Sequence, residues 1–190
     1  MKLTIKLFIL AMVLSSAVFA QKAQTAKVTP LTMPADPVAG GVISGNIKDG
    51  QTIPLRWAES SQVACFPGTR FEMFTGNHVF YRVTLPAASS MTITMTPKDN
   101  AALNMYALRQ SSNPNDQPVP PNVQRAISCE AKYPIYANLP GGRVAKNKDD
   151  GVRKIEYISV NSPYSILIGI AGAKGLTEGD FSLNISIKPR

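Results

Sequence analysis

A chain of 190 residues with 20 Lys and Arg against 12 Asp and Glu has room for one domain and a short extension. Its formal net charge of +8 is spread along the chain, without the dense, aromatic-interleaved basic face of a nucleic-acid footprint, so nucleic acid is excluded as a partner. One histidine and two cysteines exclude the common zinc ligand sets.

Residues 1–20 have the three parts of a secretory signal peptide: Lys2 and Lys6, the apolar run Leu7 to Leu14, and Val18-Phe19-Ala20 before a cut at Gln21. The apolar run is too short to cross a bilayer, so no transmembrane segment is expected in the mature chain. No cysteine directly follows it, which argues against a lipid anchor. The expected location is secreted or periplasmic. Without Lys2 and Lys6, 18 basic residues face 12 acidic ones, a net of +6 that gives at most a weak attraction to anionic polymers.

Residues 21–41, with Pro30, Pro34 and Pro37 and no sustained period, read as an extended linker. The domain is expected over 42–190. Val42 to Ile47 predicts a first strand, and Thr52 to Ala58 a second one disturbed by Pro54. Glu59 to Gln62 is a loop leading to Cys65 and the turn Phe66-Pro67-Gly68. His78 to Leu85 is a clear strand: Val79, Tyr81, Val83 and Leu85 share one face, with His78, Phe80, Arg82 and Thr84 opposite.

Met91, Ile93 and Met95 alternate with Thr92, Thr94 and Thr96, a strand with one solvated face. Leu103 to Leu108 is another strand. Gln110 to Asn122, with Pro114, Pro118, Pro120 and Pro121, is a long loop, and Val123 to Cys129 can pair back onto the sheet. Tyr133 to Lys148 is basic and punctuated by Gly and Pro. Val152 to Val160 is a strand with Ile155 and Tyr157 on one face. Tyr164, Ile166, Ile168 and Ile170, then Phe181, Leu183, Ile185 and Ile187, repeat with period two around the Gly-rich turn Ala171–Gly179, which predicts a β-hairpin. A hairpin is marginal alone, so its apolar face requires a second layer. About eight strands and no amphipathic helix predict an all-β fold, an antiparallel, jelly-roll-like β-sandwich.

Cys65 and Cys129 are an even pair in an exported chain and read as one disulfide, worth roughly 4 kcal/mol in the chain-entropy model; two unrelated buried thiols are the alternative.

Three stretches carry a family likeness: 74–83 (Phe-Thr-Gly-Asn-His-Val-Phe-Tyr-Arg-Val); Met91 to Met95 with Leu103 to Tyr106; and Tyr164 to Gly169 with Gly179 to Ile185. Their order resembles the bacterial pre-peptidase C-terminal domain, over about Val42 to Ile187. The resemblance implies a compact β-sandwich without catalysis, linked to secretion, substrate attachment or calcium and polymer binding. Asn104 stands where the family often has Asp, and the chain is expected to stand alone, without the catalytic domain that accompanies the family.

Candidate chemistry is sparse. His78 is the only histidine and reads as an exposed strand-end residue, since no nucleophile-elbow motif accompanies it. Asp149, Asp150 and Asp180 are the acids for a loose oxygen-ligand calcium site, against a plain-turn reading; an EF-hand fails because Lys146, Lys148 and Tyr157 occupy ligand positions. No other cofactor is expected. Trp57, Tyr106, Tyr133 and Tyr136 are candidate stacking platforms for a polymer, against a reading of Trp57 and Tyr106 as core residues. The expected function is an exported, non-enzymatic binding or accessory module for a polysaccharide or protein partner. A structural or assembly component of the envelope is the alternative, and a small secreted hydrolase the third reading.

Overall fold

The computed structural model describes residues 26–33, 36–59, 62–134 and 149–190; the predicted signal peptide and Tyr136 lie outside them. Among the described residues nine strands form two sheets. In chain order they are β1 (Val28–Pro30), β2 (Gly41–Asn46), β3 (His78–Leu85), β4 (Ser89–Pro97), β5 (Leu103–Gln110), β6 (Ser128–Lys132), β7 (Arg153–Ser159), β8 (Tyr164–Gly172) and β9 (Asp180–Pro189). One sheet runs β1-β3-β8-β5-β6 and the other β2-β9-β4-β7; every neighbour pair is antiparallel except β1 with β3. The all-β sandwich expected from the sequence is the observed fold.

Period-two patterning sets the first core. Val79, Tyr81, Val83 and Leu85 of β3, Ile166, Ile168 and Ile170 of β8, and Met91, Ile93 and Met95 of β4 meet between the sheets with Phe181, Leu183, Ile185 and Ile187 of β9. On the far side of the four-stranded sheet, Thr92, Thr94, Ser182 and Asn184 face outward, so this sheet is wet on one side. The five-stranded sheet differs. Phe80, Tyr106, Leu108, Leu167 and Ala171 point away from the first core into a second one, roofed by Leu55, Trp57, Phe66, Phe74 and Val123 from the connecting segments. Both faces of β5 and β8 are therefore buried, which explains their near-continuous apolar sequences.

Three expectations are corrected. The stretch Ser162–Ile187 is not a hairpin: β8 lies in one sheet and β9 in the other, and the turn between them carries the chain across the sandwich. Residues 21–41 are not a linker throughout, because β1 pairs in parallel with β3, Ala26 is buried, and Leu31 and Met33 pack on the first core. Thr52 to Ala58 is not a strand but an irregular run ending in a 3-10 turn at Arg56–Glu59, which turns Leu55 and Trp57 down onto the five-stranded sheet.

Gly169 shows how tightly the second core is packed. It is opposite Phe80 on one side and Tyr106 on the other. A Cβ there would stand 2.5 Å from Tyr106 Cε2 and 2.8 Å from its hydroxyl oxygen. Tyr106 is enclosed by five further rings and cannot swing away. Gly169→Ala is expected to cost about 2–3 kcal/mol, the upper range for overpacking, read as a lower urea midpoint with an unchanged slope.

Candidate functional site

Tyr106 is the centre of the second core. Its ring centroid lies 5.4 Å from Trp57, 5.7 Å from Phe74, 5.8 Å from Phe66, 5.9 Å from His78 and 6.4 Å from Phe80. Phe66 and Phe74 stack at 4.1 Å. Such clusters gain beyond simple area burial through edge-to-face and offset contacts. Trp57 is 7% exposed and Tyr106 is fully buried, so neither offers a ring face to a polymer; both do the work of core residues. Burial also pushes the Tyr106 phenol well above its ordinary pKa, so it stays protonated. Tyr133 is half-buried with its ring edge-on to Phe74 at 5.6 Å.

His78 is likewise corrected from an exposed strand end to a buried side chain, 1% exposed. Its Nδ1 donates to the carbonyl oxygen of Gly76 at 3.1 Å, and the ring stacks over Phe80. Burial lowers its pKa from 6.5 to about 4, opposed by the Gly76 bond. A catalytic triad would need this Nδ1 to face a carboxylate. It faces a backbone carbonyl instead.

The three candidate calcium acids are engaged separately. Asp149 grips Arg153 with both oxygens, at 2.6 and 2.9 Å, and this contact holds its carboxyl below the ordinary range. Arg153 is buried, and its Nε donates to Asn104, whose amide in turn donates to the Met73 carbonyl at 2.8 Å. That chain ties β7, β5 and the roof of the second core together. Asp150 accepts from the Val152 N–H, and Asp180 from the Asn46 amide. Among the described residues no group of three His, Cys, Asp or Glu side chains could hold a metal. Asp149 and Asp150 each accept from the N–H two residues on, of Gly151 and Val152, as Asx turns do.

The disulfide is formed: Cys65 and Cys129 are joined with Cα atoms 5.0 Å apart, fastening the roof of the second core to edge strand β6. Beside it runs the feature best suited to binding. The loop after β5 borders a groove of about 510 Å³, which shares Asn122 and Gln124 with an adjoining hollow of about 430 Å³ beside Arg56 and the edge of Trp57. Five amide side chains line this surface: Gln62, Asn115, Gln117, Asn122 and Gln124. Asp116 and Arg125 face each other across 3.5 Å.

The loop is held from beneath. Gln110, 1% exposed, donates through Nε2 to the Pro118 carbonyl at 2.6 Å and accepts from Arg82 Nη2 at 3.3 Å. The same Arg82 nitrogen donates to the Gln117 carbonyl at 3.1 Å. Gln117 Nε2 reaches back to the Ser111 carbonyl, and Asn113 caps the Asn115 N–H. Partial burial lowers the pKa of Arg82, a desolvation cost accepted to satisfy loop carbonyls. A groove built this way needs little ordering when a ligand arrives. Amides donate and accept at once, which suits hydroxyls and peptide groups. The sequence showed this stretch only as a proline-rich loop; the clustered Asn and Gln among those prolines were the available signal.

No protein-family model matches the chain, and no curated protein matches it. Six solved chains match, among them the following three. The first, a periplasmic inhibitor of g-type lysozyme from Aeromonas hydrophila, is 14% identical with a TM-score of 0.42, over 85% of this chain and 96% of its own. A pre-peptidase C-terminal domain of collagenase from Bacillus anthracis is 8% identical, with a TM-score of 0.37, over 85% and 95%. A surface-associated copper-binding protein from Methylomicrobium album BG8 is 11% identical, with a TM-score of 0.46, over 86% and 100%. At these values the neighbours carry no argument about ligand or chemistry. Among the described residues no helix is long and apolar enough to cross a membrane.

Proposed function

We propose that this chain is an exported, non-catalytic binding module whose amide-lined groove takes an uncharged, hydrogen-bonding polymer, a polysaccharide strand. The observation that carries the reading is the pairing of buried Gln110 with half-buried Arg82, which together fix the carbonyls of an exposed loop. Export is supported by the signal-peptide pattern of residues 1–20 and by the disulfide, a bond that persists in oxidising compartments.

The test is co-sedimentation with insoluble peptidoglycan, cellulose, chitin and collagen, at low and high salt. Saturable binding to one polysaccharide that survives high salt is expected, with the Asn122→Ala, Gln124→Ala double variant weakened at least about tenfold, since each lost hydrogen bond is worth about 0.5–1.5 kcal/mol. Binding that disappears with salt would mean only that the net positive charge finds anions. Binding to collagen alone would move the groove to a protein partner. Binding to none of the four would sink the polysaccharide reading.

A further inference from the structure

Among the described residues four strands form the sheet edges: β1 and β6 in one sheet, β2 and β7 in the other. An open edge presents unpaired N–H and C=O groups to any extended chain, and proteins blunt such edges with short strands, prolines and charges. Three of the four are blunted. β1 has three residues and ends in Pro30. β6 carries Glu130 and Lys132 and is tied down at Cys129. β7 displays the ion pair Lys154–Glu156 at 2.7 Å. β2, Gly-Val-Ile-Ser-Gly-Asn, has six residues with neither a charge nor a proline. Val42, its second residue, is 69% exposed, the most exposed large apolar side chain among the described residues.

Next to this unguarded edge a cleft of about 630 Å³ opens between β1 and β2. Lys27 and Thr29 line it from one side, Ile43 and Ser44 from the other, with Asp49 and the largely buried Val79 and Tyr81 of β3 at its wall. Side chains of an added strand alternate between two faces. A strand laid along β2 would send alternate residues toward this cleft and the others over Val42.

We infer that β2 is an acceptor edge for an extended segment of an acidic protein partner, which adds a fifth strand to the four-stranded sheet and places an apolar side chain in the β1–β2 cleft. Backbone pairing supplies the affinity and the cleft the selectivity, the usual division in strand addition. Charge selects the occupant. A second copy would bring together two chains that each carry a net of +6 once Lys2 and Lys6 are removed, whereas an acidic segment is attracted by that same field. The inference is independent of the amide groove, which lies on the loop beyond the other sheet.

The probe is a displayed library of random decapeptides selected against the full folded chain. Enriched peptides are expected to be acidic, with apolar residues at every second position. Val42→Glu, at a position exposed enough to leave the fold intact, is expected to weaken a selected peptide at least about tenfold, or 1.4 kcal/mol. Val160→Glu, the same substitution at an exposed position just beyond β7, at the opposite edge of the same sheet, and Asn122→Ala in the groove are expected to leave its affinity within about twofold. Failure to enrich any peptide overturns the proposal, as does equal weakening by Val42→Glu and Val160→Glu, which would reduce it to net charge. Loss of binding in Asn122→Ala would assign the peptide to the groove instead. A dimer in sedimentation velocity that Val42→Glu dissolves would assign the edge to self-pairing and overturn the acidic partner.

Discussion

Replacing Cys65 and Cys129 together by alanine is expected to lower the unfolding free energy by about 4 kcal/mol. The bond spans 64 residues, so its loss frees a long loop in the unfolded chain. The folded state is affected as well, because the bond joins the roof of the second core to an edge strand with only one neighbour. Cys65 and Cys129 both pack against that core, and their removal loosens Phe66 and Val63 around it. Urea unfolding followed by far-ultraviolet dichroism checks this: a lower midpoint with a steeper slope is expected, since the unfolded variant is less compact. A change below about 1 kcal/mol would show that the roof is held by packing alone.

Acid is the second large lever. His78 titrates near 6.5 when unfolded and at about 4 when folded, because the neutral ring is sealed in the second core. Between those values the unfolded chain binds a proton that the folded chain refuses, so protonation favours unfolding. The stability is complete above pH 6.5 and is lost as pH falls toward 4, by about 2 kcal/mol at pH 5 and about 3 kcal/mol at pH 4. Asp149 acts in the same direction further into acid, because its lowered pKa also makes the folded form the weaker proton binder there. Unfolding free energies measured from pH 7 to 4 test the slope. His78→Phe, which keeps a ring in the stack, is expected to flatten the curve between pH 6.5 and 4.5. An unchanged slope in that variant would remove His78 from the account.

Where the sequence was readable, one physical rule governed the position. Thr92, Thr94 and Thr96 alternate with apolar residues because β4 is wet on one side, and any period-two reading finds it. The pairing of β8 and β9 was not readable in the same way. Period two locates a strand and its buried face, but the strands flanking a glycine-rich turn can stay in one sheet or change sheets. A clue lay in Leu167 and Ala171, apolar residues on the face of β8 that a two-layer sandwich would leave to solvent. The same oversight hid the second core. Without a third layer, Tyr106 and Trp57 read as either stacking platforms or core residues and His78 as exposed; with it, all three belong inside. β1 was too short and too close to Pro30 to register against a background of linker composition. The groove was least legible of all, because Gln110 and Arg82 meet the loop carbonyls only after β3 and β5 are placed in the same sheet around β8.

The central claim is that the loop after β5 is a preorganised binding surface held by Arg82, Gln110 and the disulfide-fastened roof. Amide hydrogen exchange through residues 111–127 tests it without knowledge of the ligand. The N–H groups of Asp116, Asn122 and Ile127, bonded to Asn113, Val119 and Arg109, are expected to exchange at least about a hundredfold more slowly than an open loop. Gln110→Ala is expected to release the first two while β4 and β9 keep their protection. Free exchange throughout this stretch in the native chain would contradict the account, because a loop that is already mobile cannot be the rigid groove proposed here.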